Sequence, residues 1–411
     1  MERFVARQPI FNHSRVVFGY ELLFRSGPEN YFTGAKPDQA AAATADNLLL
    51  IGIDRLAQGR RAFINCTREF LVREFALLLP HDRVVVEILE SVRADDELVS
   101  ACTRLKRAGY LLALDDFREA AELEPLVALA NFIKVDFLAT SAEEQKRYAR
   151  TYPRTGVLLI AEKVETYEEF QLAAELGYSY FQGYFFSRPE MVRHHDIPGY
   201  KLNYLRVLQA VNQPEINLRD VSERIKGEAS LSYRLLRYLN SPAFPLVTEV
   251  HSIPHALSLL GERGIRKWVS LVAIACMGDE KPAELVALPL MRARFCELLA
   301  PHADMADAAN DLFLLGLLSA MEAILDMKLE EILKEITIHQ GIHDALLGEK
   351  NKLRSVFDLV LHYEMGTWEE FEVDAARLQV PEEIVPALFI QSVDWARGVL
   401  AGHDVSPTPA R

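Results

Sequence analysis

Cysteine is scarce in this sequence: Cys66, Cys102, Cys276 and Cys296 are the only four in 411 residues. No two share a CxxC spacing, which leaves free thiols suited to a reducing compartment rather than a disulfide framework. Positive charge is also short, with 45 Lys and Arg against 59 Asp and Glu, a net charge of −14. Phosphate backbones demand clustered cations, so general nucleic-acid binding is excluded. An anionic membrane surface would repel such a chain. No apolar run reaches membrane-spanning length, and Met1-Glu2-Arg3-Phe4 lacks the shape of a signal peptide. The expectation is a soluble cytoplasmic protein. A phosphate-bearing ligand would then need a local positive site or a bound metal. The remaining composition, half hydrophobic and a quarter charged, is that of a globular chain long enough for two or more domains.

What is present centres on Leu111-Leu112-Ala113-Leu114-Asp115-Asp116-Phe117. A short apolar run ending in two acids, with helix-prone sequence from Glu119 to Ala130 behind it, reads as an interior strand of a parallel sheet. Adjacent carboxylates repel one another, and a hard divalent cation would offset that repulsion. The alternative is a solvated turn in which one Asp caps the next helix.

The surrounding chain decides the context. Phe4 to Ile10 and Val16 to Phe24 read as a hairpin, followed by a helix from Gln39 to Leu56. Strands are then expected at Arg61–Asn65, Val84–Ile88, Leu111–Leu114, Phe132–Val135, Val157–Glu162 and Tyr180–Tyr184. Helices are expected between them at Arg68–Leu79, Asp95–Ala108, Ala142–Arg150 and Tyr167–Leu176. Repeated strand–helix units imply a parallel sheet, and the count suits a TIM-like (β/α)8 barrel with an irregular start. Such barrels carry their chemistry at the C-terminal strand ends. Glu21, Asn65, Glu87, Asp115, Asp116, Lys134, Glu162 and Gln182 all fall there. A purely structural barrel has no need of a polar residue at nearly every mouth.

The same residues carry a resemblance to the EAL domain, a cyclic-di-GMP phosphodiesterase or receptor module. Gln8-Pro9-Ile10, Tyr20-Glu21-Leu22-Leu23-Phe24-Arg25, Phe63-Ile64-Asn65 and Glu87-Ile88-Leu89-Glu90-Ser91 resemble its QPI, GYEALxR, F-x-N and ELTES motifs. Asp115-Asp116-Phe117, Ile133-Lys134-Val135-Asp136, Ala161-Glu162-Lys163-Val164-Glu165-Thr166 and the run from Phe181 to Pro189 resemble DDF, LKID, AEGVET and FQGYLFSRP. Two departures stand out. Arg118-Glu119-Ala120 replaces the usual Gly-Thr-Gly, a loop that supports metal placement and dimer contacts, and Lys163 replaces the Gly of AEGVET. Glu119 is an open candidate for a substitute ligand.

Beyond a polar linker containing His194-His195-Asp196 and Pro198-Gly199, strands vanish and apolar-striped helices take over. Ser232 to Phe244, Ser252 to Gly261 and Leu314-Leu315-Gly316-Leu317-Leu318-Ser319 resemble the all-helical HDOD domain, a relative of HD metal phosphohydrolases that has lost its metal site. Where those enzymes carry a His-Asp pair, Ser319-Ala320 stands here, and neither residue ligates a metal well. His343-Asp344 reads as polar residues at a helix start. The expected organisation is a barrel domain over 1–197, a helical domain over 198–403 and a disordered tail over 404–411.

The resemblance implies a cyclic-di-GMP phosphodiesterase forming linear pGpG with one or two Mg²⁺ or Mn²⁺ ions, all in the barrel and none in the helical half. Glu21, Asn65, Glu87, Asp115 and Asp116 would hold the metal. Lys134, Glu162 and Asp116 would be catalytic, and Gln8, Arg25, Gln182 and Pro189 would hold the ligand. The altered loop keeps a second reading open: a degenerate EAL domain serving as a cyclic-di-GMP receptor or scaffold. In either case the helical domain would be the regulatory or output module, meeting an unidentified protein partner. A homodimer is compatible with both, and neither DNA nor membrane is implied as a partner.

Overall fold

The computed structural model describes residues 3–26, 53–187, 199–213, 215–227, 231–232, 252–278, 281–336 and 338–401. The chain divides into two compact units, one of 1–188 with 361–373 and the other of 189–360 with 374–411. Each is described by itself.

The first unit is a closed barrel of eight strands in sequential order. They are β1 (Arg3–Asn12), β2 (Val17–Ser26), β3 (Arg61–Cys66), β4 (Val84–Ile88), β5 (Leu111–Leu114), β6 (Phe132–Asp136), β7 (Leu158–Glu162) and β8 (Tyr180–Gln182). The irregular start is the β1–β2 hairpin. Strand β1 runs antiparallel to both β2 and β8, while every pairing from β2 to β8 is parallel. A parallel strand buried on both faces must be apolar nearly throughout, which is why Val84-Val85-Val86 and Leu111-Leu112-Ala113-Leu114 carry so little polarity.

Period-two alternation explains what fills the barrel and what sits above the filling. Ile10, Phe63, Val85, Ala113, Phe132 and Ile160 form one buried cluster, with Phe18, Leu111 and Tyr180 packed against it. Moving two residues toward the mouth on the same face gives Asn65, Glu87, Asp115, Lys134, Glu162 and Gln182. On antiparallel β1 the step runs backwards, from Ile10 to Gln8. An apolar plug thus lies one pleat beneath a polar ring.

The helices between strands differ from expectation in three places. The helix foreseen over Arg68–Leu79 stops at Val72 and resumes as a short 3-10 turn at Phe75–Leu78. Glu74 sits between them at φ 64, a left-handed backbone that no α-helix continues. The segment Glu119–Ala130 yields only the 3-10 turn Ala121–Leu123 and the single turn Glu124–Val127, with Pro125 in its first turn, where the missing N–H costs nothing. Strand β8 ends at Gln182, and Tyr184–Ser187 is 3-10 helix. Of the helix expected over Gln39–Leu56, only Ile53–Leu56 falls within the described residues. By contrast Ala142–Thr151 and Tyr167–Leu176 each open with a capping box, Ser141 with Glu144 and Thr166 with Glu169.

In the second unit the described elements are helical. The run Ile253–Met277 is two helices meeting at Gly261, whose φ is 64. The helix Ala283–Leu299 carries Pro289 in its interior. At Ser319-Ala320 the chain breaks between the helices Ala309–Leu318 and Met321–Leu325. The four cysteines are free and buried. No helix among the described residues is long and apolar enough to cross a membrane.

Candidate active site at the barrel mouth

One cation organises the mouth. Lys134 on β6 is 1% exposed, and its Nζ lies 3.1 Å from Glu21 Oε2 and 2.8 Å from each of Glu87 Oε1, Asp115 Oδ1 and Glu162 Oε1. Four different strands, β2, β4, β5 and β7, bring those carboxylates to a single ammonium, counting Asp115 at the residue after β5. Asn65 Nδ2 donates to Glu21 Oε1 at 2.9 Å, and Gln182 Nε2 donates to Glu21 Oε2 at 2.7 Å. Gln182 also donates to Gln8 Oε1 at 3.0 Å, and Gln8 Nε2 donates to the Met365 carbonyl at 3.1 Å. The backbone after Gln182 turns through Gly183 at φ +141, where a Cβ would come within 2.1 Å of the Val164 carbonyl. Only glycine fits there.

The electrostatics follow from burial. With Glu21, Glu87, Asp115 and Glu162 ionised, four carboxylates face one ammonium, three negative charges in excess. Burial would push Lys134 down, but the attraction of Asp115, Glu162, Glu21 and Glu87 holds it well above its ordinary value. Burial also opposes ionisation of Glu21, yet Lys134 and the bonds from Gln182, Lys134 and Asn65 hold Glu21 low. Glu87 goes the other way. Burial dominates, aided by repulsion from Glu21 and Asp115, and drives it well above the usual carboxylate range against the pull of Lys134. Burial likewise pushes Glu162 up to about 8. The ring has divided its carboxylates into an ionised member and proton-retaining members, the separation that acid–base chemistry requires.

Three buried oxygens in this ring, Asn65 Oδ1, Glu87 Oε2 and Gln182 Oε1, have no hydrogen-bond partner. Orphaned buried acceptors are costly. An amide oxygen and carboxylate oxygens in negative excess are the donor set of a hard divalent cation. The residues therefore fit a metal. Among the described residues no three His, Cys, Asp or Glu side chains are already gathered around an open point. The Lys134 ammonium occupies the centre of the carboxylates instead.

Asp115 and Asp116 meet different cations. Successive residues of a strand point to opposite faces, so Asp115 continues the inward face of Ala113, and Asp116 leaves it. Asp116 has φ 41 and makes no contact with Lys134. Its Oδ1 lies 3.9 Å from Nζ of Lys163, which also reaches Asp136 Oδ2 at 2.5 Å. Lys163 itself holds φ 53, the left-handed backbone that suits glycine at this position. Sequence reasoning noticed the missing glycine and did not foresee the ion pair. Asp136 is held below its ordinary value: burial opposes this, and the Lys163 bond with the N–H groups of Ala139 and Leu138 prevails. Burial raises Asp116, reinforced by Asp115 and countered by Lys163.

Glu119 is engaged outside the ring. Its carboxylate accepts from Tyr152 Oη at 3.3 Å and pairs with Arg147 at 2.9 Å, and its N–H donates to Tyr148 Oη at 3.3 Å. The ring of Phe117 packs edge-on to Tyr148 and Tyr152, so the whole turn after Asp116 is anchored away from the ring. A cavity of about 330 Å³ opens beside it, lined by Glu90, Asp115, Asp116, Arg118, Asp136 and Thr140 among others. Pro189, the side chain of Arg25 and His194-His195-Asp196 lie outside the described residues.

In the second unit, Ser319 donates from Oγ to the Gly316 carbonyl at 2.7 Å and accepts from the buried Arg292 guanidinium at 3.3 Å. His343 Nδ1 lies 3.2 Å from Asp344 Oδ1, a local pair on a partly exposed helix.

Two family models match the chain: the EAL domain over residues 2–189 and the HDOD domain over residues 197–350. The uncharacterized protein YuxH of Bacillus subtilis is 33% identical, covering 97% of this chain and 99% of the relative. The cyclic di-GMP phosphodiesterase CdgJ of Vibrio cholerae is 32% identical, covering 96% of this chain and 93% of the relative. Among solved structures, the PaMucR phosphodiesterase in complex with c-di-GMP is 21% identical over 46% of this chain and 97% of that one, with a TM-score of 0.40. That overlap is too low to carry an argument.

Proposed function

The chain belongs to the family of proteins that join an EAL domain to an HDOD domain, and from that premise we propose that its barrel hydrolyses cyclic-di-GMP to linear pGpG. The observation that carries the reading is the buried ring of four carboxyl groups around Lys134, with unpartnered oxygens on Asn65, Glu87 and Gln182.

Glu21, Asn65, Glu87 and Asp115 would hold the first divalent ion, Mg²⁺ or Mn²⁺, and Asp116 would serve a second beside Asp115. Such an ion, when bound, activates water and neutralises charge on the phosphodiester. The remaining work belongs to side chains. Lys134 balances the carboxylates and fixes their spacing. Glu162, pushed up to about 8 by burial, would orient the attacking water. Gln182 and Gln8, bonded to each other and to Glu21, orient the dinucleotide together with Arg25, whose fork suits phosphate, and Pro189. The helical domain would act as the regulatory module and meet a protein partner.

A second reading is favoured by one region. The anchored turn Arg118-Glu119-Ala120 and the Lys163 ion pair with Asp136 both stand where the family pattern has glycine. They would limit the freedom of the second-cation locus, so binding would survive better than turnover, as in a receptor. The test is incubation of the purified chain with cyclic-di-GMP and Mn²⁺ or Mg²⁺, with products separated by chromatography. Linear dinucleotide is expected, and chelation abolishes it. Tight binding with no product would replace the enzyme by the receptor.

A further inference from the structure

The second unit contains a cavity of about 510 Å³ between the helices Ile253–Met277, Ala309–Leu318 and Gln340–Leu346. Its volume lies within the range of small-molecule sites. Asn212, Arg263, Lys267, Ser270, Asp311 and Phe313 line it among others. Ser270 is 1% exposed, and its Oγ has no hydrogen-bond partner. A buried hydroxyl left without a partner is a cost that a bound polar atom would remove.

Positive charge gathers on one wall. Arg263 and Lys267 stand four residues apart, on the same face of their helix. Lys267 Nζ lies 2.5 Å from Glu297 Oε1 and 2.7 Å from Oε2, and Arg294 meets the same carboxylate at 2.6 Å, so two cations share one anion and the wall keeps a net positive charge. Burial holds Lys267 below its ordinary value even with Glu297 beside it. Arg263 makes no ion pair among the described residues. Across the cavity, Asp311 offers acceptor oxygens, and Phe313 and Leu314 give an apolar wall.

We infer that this cavity is a binding site for a phosphomonoester of nucleotide size, its phosphate on the Arg263–Lys267 wall and its hydrogen-bonding body reaching Ser270 and Asp311. The carboxylates of Asp307 and Asp311, which line the cavity outside the Ile253–Met277 helix, exclude a purely anionic ligand and call for donors on the body. The site lies away from Ser319-Ala320, at the opposite end of Ala309–Leu318, so it is not the position of the lost metal pair. It does not depend on the reaction proposed for the barrel.

The experiment is isothermal titration of the full chain with GMP, AMP and ribose 5-phosphate, with guanosine as the phosphate-free probe. At least one phosphomonoester binds, and guanosine binds at least roughly tenfold more weakly than GMP, the loss expected for a charge-assisted bond. Arg263→Glu and Ser270→Val each weaken the phosphomonoester by a similar factor, which assigns the heat to this cavity rather than to the barrel. Arg263 is exposed, so that variant carries the test alone if Ser270→Val does not fold. No heat from any phosphomonoester, equal binding of guanosine and GMP, or unchanged binding in Arg263→Glu overturns the inference.

Discussion

Lys134 and Lys163 both answer acidic residues at the barrel mouth, under opposite conditions. Lys134 is 1% exposed and faces four carboxylates, whereas the Lys163 side chain is 53% exposed and meets Asp136, with Asp116 farther off. Water screens the second group and not the first. The first also keeps the motif residues of the family, and the second exists because a lysine took a glycine's place. The difference teaches that the inner ring carries the motif residues, while both departures, Lys163 and Arg118-Glu119-Ala120, lie outside it.

The largest effect should come from Lys134. Removing one partner of a buried ionic cluster leaves charge uncompensated, at a cost of about 3–5 kcal/mol. Lys134→Ala should lose about that much stability in urea unfolding of the metal-free protein, and Mn²⁺ should restore part of it. Lys163→Ala should change stability by less than about 1 kcal/mol, as half-exposed pairs do. Equal losses in the two variants would erase the contrast.

Next in size is the pH dependence. Glu162 at about 8, and Glu87 raised in the same direction, keep protons in the folded protein that the unfolded chain has released. Where the folded state binds more protons, stability falls as pH rises. The metal-free chain should therefore lose stability between about pH 4.5, the ordinary value for Glu, and about pH 8. A saturating divalent ion should flatten that slope. A metal-free profile that rises across this window would contradict the account. The smallest effect belongs to Lys163→Gly. It removes a weak pair and a left-handed strain of roughly 1–2 kcal/mol, so stability should barely move, while titration should find Mn²⁺ bound in greater number or more tightly.

How far this was legible in the sequence depends on range. Asn65, Glu87, Lys134, Glu162 and Gln182 were legible because a strand's period of two carries each one pleat above an apolar residue. The same rule separates Asp115 from Asp116, yet their adjacency suggested one shared site. The anchoring of Glu119 by Arg147, Tyr148 and Tyr152 depends on how a later helix packs, which no local pattern records. Lys163 was visible as a departure. Its partner Asp136 became visible only once β6 and β7 were set side by side. Ser270 reads as one more polar residue in a helix until the cavity around it is seen.

The central claim is that turnover needs the ring around Lys134 and does not need Lys163. The most direct measurement is turnover of cyclic-di-GMP with Mn²⁺ by Glu21→Gln and Lys163→Gly, side by side with the unaltered chain. Glu21→Gln should lose at least the roughly hundredfold that even a supporting group costs a metal site, while Lys163→Gly should match or exceed the unaltered rate. Undiminished product from Glu21→Gln, or a loss confined to Lys163→Gly, would contradict the account.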